Sequence, residues 1–161
     1  MKAASINEIK KELTDLSAER LVELLLQVTK YKKDNKELLT YLLFEAGNKQ
    51  IFISSIKKEV KVLFEEINQD LNLYFTRKSI RKILRLVNKY AKYIDEKEAE
   101  VELLIYFLQQ MHQSGIPYEK STALNNLFDA QKSKIKKLLT TFHEDLQHDY
   151  LQELTIIATD A

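Results

Sequence analysis

Cysteine is absent from this chain, so no disulfide staples the fold and no thiolate is available for catalysis or for a zinc site. Glycine occurs only at positions 47 and 115, and proline only at 117. Tight hairpin turns need such residues, and an all-β fold is therefore not expected. Two isolated glycines cannot form a phosphate-cradling loop, and no Gly-x-Ser-x-Gly elbow occurs. The longest apolar run, Leu103 to Leu108, is far shorter than the roughly 20 residues that cross a bilayer. Met1 to Asn7 lack the apolar stretch of a signal peptide. A cytoplasmic location is the expectation.

What is abundant is Leu, Lys, Glu and Ile, the composition of long helices. At 161 residues, one domain spanning 1–161 can bury roughly two thirds of its unfolded surface. Capping signals divide it. Ser5 with Glu8, Asp34 with Glu37, and Asp95 with Glu98 read as capping boxes; Ser17 and Thr76 read as N-caps. Gly47-Asn48 is a stop signal, and Ser114 to Tyr118 is a loop. Between these signals the spacing predicts a Leu-rich helix after Ser17, a long helix from about Gln50 to Leu73 and a basic helix after Thr76. A helix apolar on nearly all sides follows to about His112, then a helical segment over 119–156, in one or two pieces. The expected fold is all-α, with about seven antiparallel helices in a short HEAT- or armadillo-like superhelix, or alternatively in a compact bundle.

Residues Leu13 to Leu25 (LTDLSAERLVELL), followed by Tyr31-Lys32-Lys33 and Asn35-Lys36-Glu37-Leu38, form a short helix, a Leu-Ser-x-Glu turn and a Leu-rich helix. Over residues 5–43 this resembles the start of an uncharacterised family of small helical bacterial proteins. The resemblance implies a bacterial helical protein and carries no catalytic residue with it.

The net charge of +1 conceals two poles. Residues 57–93 hold ten cations against four acids, whereas residues 94–161 hold six cations against twelve acids. The cations concentrate in Arg77, Lys78, Arg81, Lys82, Arg85, Lys89 and Lys92, with no acid between Thr76 and Tyr93. On a helix these seven fall within one arc of roughly 140°, a ridge about 27 Å long, opposite Ile80, Ile83, Leu84, Leu86, Val87, Tyr90, Ala91 and Ile94. A ridge of this kind can be a solvated face paired with acids such as Glu96 and Glu100, can dock an acidic protein, or can track a nucleic-acid backbone with Tyr74, Phe75 and Tyr93 stacking on bases, although core packing at the helix ends is the expected role of these three rings. Binding to a membrane surface ranks last, because this helix needs its apolar face for the fold.

Other chemistry finds little support. His143 and His148 are five residues apart, so their rings point about 140° away from each other, unlike the i, i+4 pair of a zincin helix. Glu144 and His148 share a face and read as an ion pair on an acidic helix. Lys134, Lys136 and Lys137 form a lesser basic patch. Phe44, Phe64, Tyr106, Phe107, Phe128 and Phe142 sit at helical spacing and read as core. The expectation is a non-catalytic interaction module with no cofactor and no metal. It binds an acidic protein partner through the seven-cation face; the alternative is a nucleic-acid-binding protein using the same face.

Overall fold

The computed structural model describes residues 2–67 and 72–159, and these form an all-α protein. Contacts divide the chain into two compact units, Met1–Glu45 and Ala46–Ala161.

The first unit holds α1 (Ile6–Thr14), α2 (Ala18–Tyr31) and α3 (Lys33–Thr40), continued by a π-helical turn over Tyr41–Glu45. The Ser5 capping box forms: the Glu8 amide donates to Ser5 Oγ at 3.3 Å, and the Ser5 amide donates to the Glu8 carboxylate at 2.7 Å. The Ser5 hydroxyl donates to the same carboxylate oxygen at 2.7 Å, and the Ser5 amide and hydroxyl together hold the Glu8 carboxyl below its usual range. Ser17 caps α2 through the Arg20 amide at 3.3 Å. The box expected at Asp34 is displaced. Lys32 is extended (φ −142°, ψ 146°) and serves as the N-cap, so α3 begins at Lys33 and Asp34 lies in its first turn. There a carboxylate still complements the helix dipole. The Asn35 side chain ties α3 to α2 by donating to the Val28 carbonyl at 2.8 Å. Phe44, expected in the core, is 74% exposed, and Tyr41 is buried instead. The π-helical turn changes the rotation per residue, so the 3.6-residue spacing that placed Phe44 inward does not apply there.

The second unit opens on a 3-10 turn (Ala46–Asn48) and holds α4 (Lys49–Glu65), α5 (Leu73–Ile94), α6 (Lys97–Gln113), α7 (Thr122–Leu139) and α8 (Glu144–Thr159). The long helix expected to reach Leu73 ends at Glu65, with Leu73 opening α5. Leu71 and Asp70 lie outside the described residues. Asn72, not Thr76, caps α5, its side chain accepting from the Tyr74 amide at 3.1 Å. Thr76 sits one turn further in and shares the buried stripe of Ile80, Ile83 and Val87. Asp95 does not open α6. It closes α5 in the left-handed region (φ 55°, ψ 35°), a conformation that Asp tolerates better than most residues. Glu96 therefore becomes the N-cap of α6, without a side-chain capping bond.

The nearly all-round apolar α6 is the hub, as its sequence implied. It packs against α4, α5, α7 and α8, and Val101, Leu104, Phe107, Leu108 and Met111 are fully buried. Three contacts in register (Lys49 with Glu96, Lys57 with Glu102, Phe64 with Phe107) show α4 running parallel to α6. Helix α7 runs antiparallel to it, since Lys97 near the start of α6 meets Thr141 just past the end of α7.

Tyr150 of α8 faces Glu98 and Glu102 of α6 as well as its neighbour Glu153, and burial together with these acids raises its pKa to about 12. The folded-state value lies above that of the unfolded chain. This stabilising contribution is therefore complete below about pH 10 and is lost as the pH rises towards 12. Thermal melts of the wild type are expected to fall across that window, and Tyr150→Phe is expected to flatten the fall.

Candidate functional site: a cationic groove between α5 and α7

Helix α5 buries Ile80, Ile83, Val87 and Ala91, which turns the opposite arc outward. Within that arc Arg77, Arg81 and Arg85 are spaced four residues apart. They form a row rising about 6 Å per step along the side next to α7. Helix α7 is held there by Lys134, whose ammonium donates to Asn88 Oδ1 of α5 at 2.9 Å and pairs with Glu100 of α6 at 2.6 Å. Asn88 is fixed in turn by donating to the Leu84 carbonyl at 2.9 Å.

Between the two helices lies a groove of about 740 Å³. Arg77, Lys78, Arg81 and Arg85 form its cationic wall, Leu127 and Gln131 of α7 the opposite wall, and half-buried Leu84 and Asn88 its base. Tyr74 stands at one end, with the Arg77 guanidinium 5.6 Å from its ring centroid. The Arg85 Nε donates back to the Arg81 carbonyl at 3.3 Å, which orients its head along the helix. Four cations and no acid line this groove.

Among the described residues, Glu96, Glu100 and Glu102 make their ion pairs with cations outside α5, and none of them pairs with Arg77, Lys78, Arg81, Lys82, Arg85 or Lys92. Glu96 pairs with Lys49, Glu102 with Lys57, and Glu100 with Lys134. Cations of α4 and α7 thus occupy the acids that could have neutralised α5. Among the described residues, no carboxylate lies within 4.0 Å of Arg77, Lys78, Arg81, Lys82, Arg85 or Lys92.

Only four of the seven cations line the groove. Lys82, Lys89 and Lys92 do not line the groove; Lys82 and Lys92 are exposed, and the Lys89 ammonium sits 5.1 Å from the centroid of the Tyr90 ring. The aromatics at the ends of α5 also divide. Tyr93 is buried, whereas Tyr74 and Phe75 are exposed and stack edge to face on each other. Leu127 and Gln131 were not legible as site residues, because nothing in the α7 sequence says which of its faces meets α5.

The histidines occupy three separate settings. His112 Nδ1 is 3.1 Å from the Tyr118 hydroxyl, and His143 is 3.5 Å from Asp145. His148, expected to pair with Glu144, lies 2.8 Å from Gln152 on the next turn. No group of three or more metal-donor side chains gathers among the described residues. No helix among them is long and apolar enough to cross a membrane.

Comparison with protein-family models, curated proteins and solved structures finds no match to this chain.

The Lys134 contacts carry a stability prediction. Lys134→Met leaves the partly buried Glu100 carboxylate and the Asn88 side chain without their shared cation. The expected cost is about 1–2 kcal/mol, discounted for partial exposure, in urea unfolding. Lys61→Ala, removing half of an exposed i, i+4 pair with Glu65, is the control and is expected to change stability by less than about 0.5 kcal/mol.

Proposed function

We propose that this protein is a non-catalytic, cytoplasmic interaction module whose α5/α7 groove receives an acidic, amphipathic helical segment of a protein partner. The observation that carries this reading is the composition of the groove: three arginines and a lysine with no acid, beside half-buried Leu84 and Leu127. A partner helix with Glu or Asp every fourth residue repeats about every 6 Å, the period of the Arg77, Arg81, Arg85 row. Its leucines would meet Leu84 and Leu127 while its carboxylates meet the guanidinium forks, which recognise carboxylates in bidentate fashion.

A nucleic-acid backbone is the second reading and uses the same arginines. The groove favours it less. A phosphate backbone gains nothing from Leu84 and Leu127, and Lys82 and Lys92, which would extend a phosphate track, lie outside the groove.

The test is fluorescence anisotropy with the full chain and four labelled probes: a Glu/Leu amphipathic helical peptide about 18 residues long, the same peptide with Gln for Glu, duplex DNA and single-stranded RNA. The expected result is saturable binding of the Glu peptide, with the Gln peptide at least roughly tenfold weaker. Tighter binding of either nucleic acid, with a log-log salt slope near −4 for about four phosphates, would replace the first reading with the second. Failure of all four probes at low salt would reject both.

A further inference from the structure

Helix α8 carries an acidic row that matches the cationic row of α5. Asp145, Asp149 and Glu153 are spaced four residues apart, as are Arg77, Arg81 and Arg85. Each row therefore rises about 6 Å per step and spans about 12 Å. Leu154 and Ile157 of α8 are buried, which turns the opposite arc outward, and all three acids are exposed. Ile156 falls on that arc, between the angular positions of Asp145 and Asp149, and is 59% exposed. From Glu144 to the end of the sequence there are five acids and no Lys or Arg. Among the described residues, no cation lies within 4.0 Å of Asp149 or Glu153, and Asp145 meets only His143, at 3.5 Å. Within one chain, then, the acids of α8 do not pair with the arginines of α5.

We infer that the acidic helix received by the α5/α7 groove is α8 of a second copy of this chain, an assignment that rests on the proposed role of the groove. The match is one of position, not of net charge. Three carboxylates at the period of the arginine row face three guanidiniums pair by pair, and Ile156 lies among them to meet Leu84 and Leu127. No other helix among the described residues carries three acids at this spacing. Asp15, Glu19 and Glu23 share it, but Asp15 closes α1 while the other two belong to α2. The contact joins unlike surfaces, groove to helix, and each copy carries one of each, so every copy can both give and receive.

Sedimentation equilibrium of the full chain at low and high salt is the test, run beside variants of each row. The wild type is expected to self-associate beyond 18.9 kDa at low salt and to dissociate as salt rises. Arg77→Glu/Arg81→Glu/Arg85→Glu and Asp149→Lys/Glu153→Lys each set like charges against each other, and each is expected to raise the Kd at least about a hundredfold while still melting cooperatively. The milder Asp149→Asn/Glu153→Gln is expected to raise it roughly tenfold. Mixing the two charge-reversed variants is expected to restore association, because the intact groove of one meets the intact α8 of the other. Association that persists in both reversed variants, that ignores salt, or that mixing fails to restore would overturn the inference, since the contact would lie elsewhere. A wild type that is monomeric throughout but binds the Glu/Leu peptide would also overturn it, and would leave the proposed role of the groove standing. A monomeric wild type that ignores the peptide as well would remove both.

Discussion

Replacing Arg77, Arg81 and Arg85 by glutamate is expected to weaken binding of the Glu/Leu peptide at least about a hundredfold, close to 3 kcal/mol, without unfolding the protein. The three side chains stand on the outward arc of α5 and make no ion pair with a described carboxylate, so their loss removes no internal contact of that kind. Surface substitutions of this sort usually change stability by less than about 0.5 kcal/mol each. The binding loss has two parts. Each guanidinium gives up a charge-assisted bond, and each new carboxylate faces a carboxylate of the peptide. Lys82→Glu/Lys92→Glu makes the comparison informative. It shifts the net charge by 4 where the triple variant shifts it by 6, and neither side chain lines the groove, so each acts on the peptide only through screening solvent. Its effect is expected to stay within about threefold. Equal losses in both variants would mean that α5 attracts acids diffusely, with no seat for them.

Phe107→Ala is expected to be the most damaging single substitution, at about 3–5 kcal/mol. Phe107 is fully buried at the middle of α6, with its ring centroid 5.6 Å from that of Phe64 of α4. Truncation removes apolar burial and an aromatic pair. It also leaves a cavity inside the hub, where α4, α5, α7 and α8 all pack and none can close in without disturbing the others. The fall in Tm is expected to be on the order of 10–20 °C. Phe107→Leu, which fills most of the volume, is expected to cost clearly less. Phe75→Ala, at a half-exposed ring, is expected to change Tm by only a few degrees or less. Differential scanning calorimetry of the three variants checks the order.

The architecture was legible where one helix alone decides it. The apolar stripes of α5 and the all-round apolar α6 follow from spacing, and Ser5 and Ser17 cap where the sequence places them. The misplaced caps have a common cause. Asp34, Thr76 and Asp95 each have the chemistry of an N-cap, but the backbone at Lys32, Asn72 and Asp95 fixes where the helices break. At Asp95 the same short polar side chain that suits an N-cap also suits the left-handed residue ending the preceding helix. Which role it takes depends on how tightly α6 folds back on α5.

The site was half legible. The row of arginines is written in α5, and its charge needs no tertiary structure to be noticed. Its neutralisation does. Glu96 and Glu100 are near in sequence, yet Lys49 and Lys134, forty-seven and thirty-four residues away, take them. Likewise Leu127 and Gln131 become groove residues only because Lys134 docks α7 against Asn88.

The most direct measurement is an amide NMR titration of the full chain with the Glu/Leu peptide. If the groove is the seat, shifts will concentrate on Tyr74, Arg77, Arg81, Leu84, Arg85, Asn88, Leu127 and Gln131, on both sides of one cleft. Lys82 and Lys92 will move little, and the shifts will saturate at one peptide per chain. Shifts spread evenly over α5, with none at Leu127 or Gln131, would contradict the groove and leave only a charged helix surface.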